Sequence, residues 1–377
     1  MEKNHSGIAI VIGTKAELIK CMPIMLELRK QNKEYWFIHT GQHNLGDSCE
    51  EFGIKRPDFI LSKEPDRKIG TKFWSKIKVS TFLWCVLTLF RIKNIIRKLK
   101  PKYVIYHGDT MNTAIAAAAS SKVLNLRKRW KNVHLEAGLK SGSIREPFPE
   151  EFIRQVIDRF TDLLLAVSDG TVANLKKRKF NFVRSKIKKI GNTIIDSSIV
   201  SYNLAKKKNY KIPEGEYVLI NLHRHENIVN KKRLRTILEI LKETKIKGIW
   251  PLHENTKYFL KKYGLFDKAK EIENIEITPL VNYSKFIFLL ANCKYLITDG
   301  GSIQEESLVF KKPCVLLRKK TERQEGLFTG INFLTKLNLN YSKEIIKKIE
   351  GGELKIRKFK NPYGEEGVSK KVLEVLR

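Results

Sequence analysis

Three acidic residues stand where an alternating α/β chain would place its chemistry. Asp109 in HGDT and Glu136 in HLEAG each close or follow a short apolar run, and Glu150 in PFPEE opens a helical pattern. If those runs are parallel strands, their carboxyl ends are where open α/β sheets bind ligands. Carboxylates gathered there can hold different proton affinities and divide acid and base duties. Each also has an ordinary explanation. Asp109 could cap the helix containing Thr113, Glu150 could meet a helix N-terminus, and Glu136 could pair with a lysine. Their joint occurrence at strand ends favours a site. In the second half, NLHRHEN places His223 just beyond a strand, and WPLHEN does the same for His253. No third ligand falls at metal spacing, and the five cysteines show no CxxC or Cys/His zinc pattern, so no metal site is expected.

The loop Thr298–Ser307 (TDGGSIQEES) is the most informative. Gly300 and Gly301 let backbone approach a ligand closely, and free N–H groups at the helix start suit phosphate. Glu305 and Glu306 fall in the first turns of that helix, where an acidic side chain can accept hydrogen bonds from a ribose. Arg323 in TERQEG follows as a candidate phosphate partner. The loop lacks GxxxxGK[ST] and is no P-loop.

The elements that must position these groups alternate. Ile8–Ile12, Gly13-Thr14 and Lys15–Lys30 read as strand, turn and helix, with further strands at Tyr35–His39, Tyr103–Tyr106, Val133–Leu135 and Leu163–Val167. Helical patterns lie between them at Phe73–Lys98, Thr113–Val123 and Glu150–Arg159. A second series runs through Tyr217–Leu222, Gly248–Leu252, Ile275–Thr278, Tyr295–Thr298 and Cys314–Leu317. Strands alternating with crossover helices imply two parallel, doubly wound Rossmann-like halves. The length of 377 residues fits about two domains.

The formal charge of +33 raises nucleic acid, anionic membranes and phosphorylated ligands as partners. The lysines are spread along the whole chain, and no RRM, KH or helix-turn-helix signature accompanies them, so nucleic acid is not expected. The widely spaced cysteines fit a reducing compartment, and MEKNHSG leads into a strand without a signal-peptide core, so a cytoplasmic location is expected. Val79–Phe90 is an uncharged run with basic flanks. It is too short to span a bilayer, which takes about 20 residues. The expectation is a core helix with Leu83, Val86, Leu87 and Phe90 on the first sheet, and peripheral membrane association is the minority alternative.

In their order, the blocks GTKAELIKCMPI, TGQH, HGDT, HLEAGLKSG, PFPEEFIRQVIDR, GNTIIDS, LHRHENI, LITDGGSIQEE, KKPCVLLRKKTERQEG and NPYG resemble the non-hydrolysing UDP-N-acetylglucosamine 2-epimerases. They run from Gly13 to the last helix. The resemblance implies a GT-B fold: residues 1–188 plus 362–377 as the N-terminal domain, residues 189–361 as the UDP-binding domain, and a C-terminal helix crossing back. It implies Asp109, Glu136, Glu150 and His223 as catalytic groups. Lys15, Lys20, Gly300, Gly301, Ser302, Glu306 and Arg323 fall at or near nucleotide-binding positions, and Gln42 and His253 at candidate regulatory ones. The implied reaction interconverts UDP-N-acetylglucosamine and UDP-N-acetylmannosamine through 2-acetamidoglucal, without metal or redox cofactor, in a homodimer. Three positions depart from the family's usual pattern. Lys15 replaces an arginine, exchanging a bidentate fork for a point charge, Gly300 replaces a serine, and Gln324 replaces a proline. A hydrolysing 2-epimerase, a 2-epimerase of a related UDP-acetamido sugar, a GT-B glycosyltransferase and a non-catalytic nucleotide-sugar binder are the competing readings.

Overall fold

A computed structural model describes residues 5–41, 44–62, 79–140, 150–178 and 180–377. The chain divides into two compact units. The first draws on the chain as far as Ser197 together with Pro362–Arg377, and the second is Ser198–Asn361.

The first unit holds β1 (His5–Ile12), β2 (Glu34–His39), β3 (Phe59–Ile60), β4 (Tyr103–His107), β5 (Lys131–Ala137), β6 (Leu163–Ala166) and β7 (Lys186–Lys189). They form one parallel sheet in the order β3-β2-β1-β4-β5-β6-β7. The second unit holds β8 (Tyr217–Asn221), β9 (Lys247–Leu252), β10 (Ile275–Pro279), β11 (Tyr295–Thr298), β12 (Cys314–Leu316) and β13 (Asn332–Leu334), ordered β10-β9-β8-β11-β12-β13. The central strands are continuous apolar runs because crossover helices cover both faces of such sheets. Ile8–Ile12 and Tyr217–Ile220 are accordingly buried. The winding reverses between β1 and β4 in one unit and between β8 and β11 in the other. Those are the switch points at which doubly wound sheets bind ligands, and the motif-bearing loops leave these four strands and the neighbouring β5 and β9. The sequence pattern missed β3, β7 and β13. Each is two to four residues long, and KIKK in β7 carries no apolar run because that strand lies at an edge.

Five helices of the first unit matter below: α1 (Lys15–Lys30), α2 (Gly46–Phe52), α3 (Val79–Leu99), α4 (Met111–Ser120) and α5 (Glu150–Arg159). α1 starts on a capping box, in which Thr14 Oγ1 accepts Glu17 N–H and Glu17 accepts the amides of Gly13 and Thr14. The C-terminal helix Val368–Val375 joins this unit through Asp196, whose carboxylate accepts the amides of Gly367, Val368 and Ser369. A capping group more than 170 residues away in sequence is invisible to local pattern.

α3 corrects an expectation. Its buried side is Thr88, Ile92 and Ile96, with Trp84, Cys85, Leu89, Ile95 and Leu99 packed against the core. Leu83, Leu87 and Phe90 were expected on the sheet. They face outward with Phe82 at 45–69% exposure, and Val86 is only half-buried. Twelve uncharged residues left the facing side undefined in the sequence. The basic second half of the helix settles it, because Ile92, Ile95, Ile96 and Leu99 fix which side meets the core. No helix among the described residues is long and apolar enough to cross a membrane.

Candidate active site

The first switch point gathers the loops after β1, β4 and β5. Glu136, near the end of β5, takes φ +63°, rare for a residue with a side chain. The β5–β6 register shifts between Leu135 and Ala137, so Glu136 is the extra residue of a bulge. Bulges re-aim side chains, and strain held in the backbone concentrates at functional sites. The carboxylate is buried against a cation. Lys20 Nζ, from α1, lies 2.6 Å from its Oε2, and Asn192 Nδ2 donates to the same atom at 3.0 Å. His107 Nε2 lies 3.4 Å from that oxygen. Burial first, then the Lys20 charge, lowers the proton affinity of His107 and favours the neutral ring.

Asp109 does not cap α4. Thr110 does, its Oγ1 accepting Thr113 N–H. Asp109 instead meets the buried guanidinium of Arg154 from α5, and its side chain keeps 27% exposure. The loop before it is fixed by His134, whose Nε2 lies 2.7 Å from the Gly108 carbonyl oxygen. Glu17 ties the β1 and β4 loops together, since its Oε1 accepts the hydroxyls of Thr110 and Thr113. Burial raises the proton affinity of Glu17. Glu150 is the first residue of α5. Its side chain and Gln42 lie outside what the structure describes. Lys15 is exposed at the start of α1, whereas Lys20 is committed to Glu136.

The second switch point is organised by Asp299, which is fully buried. Its carboxylate accepts the amides of His223 at 2.9 Å and Arg224 at 3.1 Å and the side-chain amide of Asn227 at 3.0 Å, bending LHRHEN back over the end of β11. The His223 side chain is 37% exposed, with its Nδ1 buried and 4.0 Å from Asp299. Its ring stacks on His253 with centroids 5.7 Å apart. Burial lowers the proton affinity of both rings.

The glycine turn follows. Gly300 and Gly301 sit in tight space rather than at a left-handed backbone angle. A Cβ on Gly300 would fall 2.8 Å from Ile303, and one on Gly301 would fall 3.2 Å from Arg323 and Glu322. Arg323, the candidate phosphate partner, is buried under the turn, with Nε 2.8 Å from Glu305 and Nη1 on Glu322. Gln304 braces the Gly300 carbonyl, and Ser302 precedes helix Ile303–Val309 without a side-chain cap bond. Glu306 accepts the Tyr283 hydroxyl at 3.0 Å.

Arg154, Asn192, His107, Asp299 and Tyr283 escaped the sequence reading as site residues. Arg154 and Asn192 lie inside quoted blocks, so position within PFPEEFIRQ and GNT was the available signal. Among the described residues no group of three His, Cys, Asp or Glu side chains is placed to hold a metal ion.

Two Rossmann-like parallel α/β domains with carboxylates at one switch point and a glycine turn at the other define a GT-B nucleotide-sugar enzyme. The profile described as UDP-N-acetylglucosamine 2-epimerase matches residues 26–377, and this chain belongs to that family. It is 32% identical to UDP-N-acetylglucosamine 2-epimerase of Methanocaldococcus jannaschii, with 98% of each chain covered. It is 30% identical to UDP-2,3-diacetamido-2,3-dideoxy-D-glucuronate 2-epimerase of Pseudomonas aeruginosa, with 87% of each covered. Among solved structures it resembles the M. jannaschii UDP-GlcNAc 2-epimerase in complex with UDP-GlcNAc and UDP, with a TM-score of 0.80, 31% identity and coverage of 98% and 99%.

Proposed function

We propose that the protein interconverts UDP-N-acetylglucosamine and UDP-N-acetylmannosamine by elimination and re-addition of UDP. The observation that carries this is the strained, buried Glu136 with Lys20 on its carboxylate, together with a partly open Asp109 on the loop after the adjacent strand β4.

The hydrogen on C2 has no neighbouring carbonyl to acidify it, so direct deprotonation is slow. As the C1–O bond to the pyrophosphate breaks, oxocarbenium character at C1 acidifies C2–H. A carboxylate takes the proton, the C2–H electron pair forms the C1=C2 bond of 2-acetamidoglucal, and UDP leaves with the C1–O electrons. Re-addition reverses each step with the proton delivered to the opposite face. Asp109, Glu136 and Glu150 form the acid–base set. Lys15 and neutral His223 attend the pyrophosphate, Gly300–Ser302 and Glu306 hold UDP, and Arg323 acts by bracing the glycine turn. Lys20 keeps Glu136 in place.

Starting the reaction from either UDP-sugar and separating products by anion exchange tests the reading. Convergence on one mixture supports it. Free UDP in proportion to sugar released would assign a hydrolysing enzyme instead. Conversion of a UDP-2,3-diacetamido sugar alone would move the substrate towards that of the P. aeruginosa relative.

The enzyme acts as a homodimer in this reading. Self-association would bury the outward stripe of Phe82, Leu83, Leu87 and Phe90 on α3. Light scattering at micromolar concentration checks it. Salt-sensitive co-sedimentation with anionic vesicles, lost in Phe90→Glu, would assign the stripe to lipid instead.

A further inference from the structure

One buried pair in the first unit has no part in the proposed reaction. His134 is fully buried, with Nδ1 2.8 Å from Asp158 Oδ1 and Nε2 2.7 Å from the Gly108 carbonyl oxygen. A carbonyl oxygen only accepts hydrogen bonds and both contacts are of hydrogen-bond length, so Nε2 carries the N–H that meets Gly108 and Nδ1 is committed to Asp158. The pair sits on the loop that presents Asp109. Gly108 takes φ +76° immediately before it. Asp158 lies four residues beyond Arg154 on α5, hence on the same helix face, and Arg154 holds the Asp109 carboxylate. α5 therefore grips the HGDT turn twice, through Arg154 on the Asp109 side chain and through Asp158 and His134 on the Gly108 carbonyl.

We propose that His134 is a positioning residue for Asp109, a buried ring held by Asp158 that fixes the Gly108 carbonyl and so the direction in which the Asp109 carboxylate is presented. The inference rests on the reading of Asp109 as an acid–base group. Around the ring stand Tyr106, with its centroid 5.7 Å away, His107, whose proton affinity His134 lowers as the least of several causes, and Arg178, which donates to the Asp158 backbone carbonyl at 2.7 Å. Among the described residues Asp158 is the one carboxylate bonded to the ring, so it is what holds the ring's orientation.

The test is ¹⁵N NMR of the full chain labelled on histidine. His134 is expected to show a ring Nε2–H signal protected from exchange, and Asp158→Asn, which removes a carboxylate oxygen from Nδ1, should weaken that protection. In the same variant kcat should fall about tenfold to a hundredfold, the scale of a misplaced catalytic group, with KM for UDP-GlcNAc little changed. His134→Gln should fall similarly, and the double variant no further. A ring Nε2–H that exchanges freely in the unmodified chain overturns the proposal, as does unchanged kcat in folded Asp158→Asn. If Asp158→Asn does not fold, the unmodified spectrum and His134→Gln kinetics decide. Near-normal turnover in Asp109→Asn would instead sink the acid–base reading and leave the spectrum standing, so the two failures are distinguishable.

Discussion

Glu136→Gln removes one negative charge at nearly constant shape, and its consequences can be worked from the contacts around it. The carboxylate and Lys20 Nζ are 2.6 Å apart, with side chains only 6% and 10% exposed. The bare attraction at that distance is about 6 kcal/mol at an effective dielectric constant of about 20. Desolvation of both ions offsets much of it, but removing one partner of such a pair typically costs about 3–5 kcal/mol, since the other charge stays buried. Glutamine keeps a carbonyl that can still accept from Lys20 or Asn192, which puts the expected loss near about 3 kcal/mol. For a unit of this size that lowers the thermal midpoint by roughly 6–12 °C. Lys20→Met should be comparably damaging, and the double variant should recover about 2 kcal/mol relative to the sum of the singles. Turnover should fall at least about a hundredfold, the usual scale of an acid–base group, with UDP affinity by calorimetry unchanged. Scanning calorimetry and coupled kinetics read both halves. Additive singles with no recovery would refute the ion-pair argument, and turnover within a few-fold of normal would refute the catalytic assignment.

The other expectations concern both units. Glu306→Ala should weaken UDP by calorimetry while Tyr283→Phe, which deletes only the hydroxyl bonded to Glu306, weakens it less; equal affinity in both would return the glutamate to a structural role. His223 and His253 have proton affinities lowered in the fold, so the unfolded chain binds more protons below the ordinary histidine range near pH 6.5. Stability should therefore be full above that value and fall as pH drops below it, and His223→Gln should flatten the acid side of a melting-temperature profile. Gly13→Ala would put a Cβ 2.3 Å from the Asn112 side chain and 2.7 Å from Thr40 Oγ1, which share a 2.8 Å hydrogen bond; overpacking of this kind costs about 1–3 kcal/mol, read by urea unfolding.

What could be read before folding was whatever acts along the chain. Continuous apolar runs named the central strands, since a strand covered on both faces needs no alternation. HGDT, HLEAG and TDGGSIQEES stood out because polar residues interrupt those runs at their ends. The partners of these groups were not legible, because they are brought by topology. Lys20 reaches Glu136 across 116 residues, Arg154 reaches Asp109 across 45, and Asp299 holds His223 across 76. The bulge that aims Glu136 is a register event between β5 and β6, and HLEAG does not encode it locally. The burial of Arg323 was illegible for a related reason, since it depends on Glu305 and Glu322 closing around it. The outward side of α3 was misassigned because an all-apolar half-helix has no polar face to mark solvent.

The central claim is that C2–H is broken and remade through loss of UDP. A proton NMR time course with UDP-N-acetylglucosamine in D₂O tests it most directly. Both UDP-sugars should appear and become deuterated at C2 with no net accumulation of UDP. Epimerised product that retains its C2 proton, or no turnover beside tight UDP binding, would contradict the account.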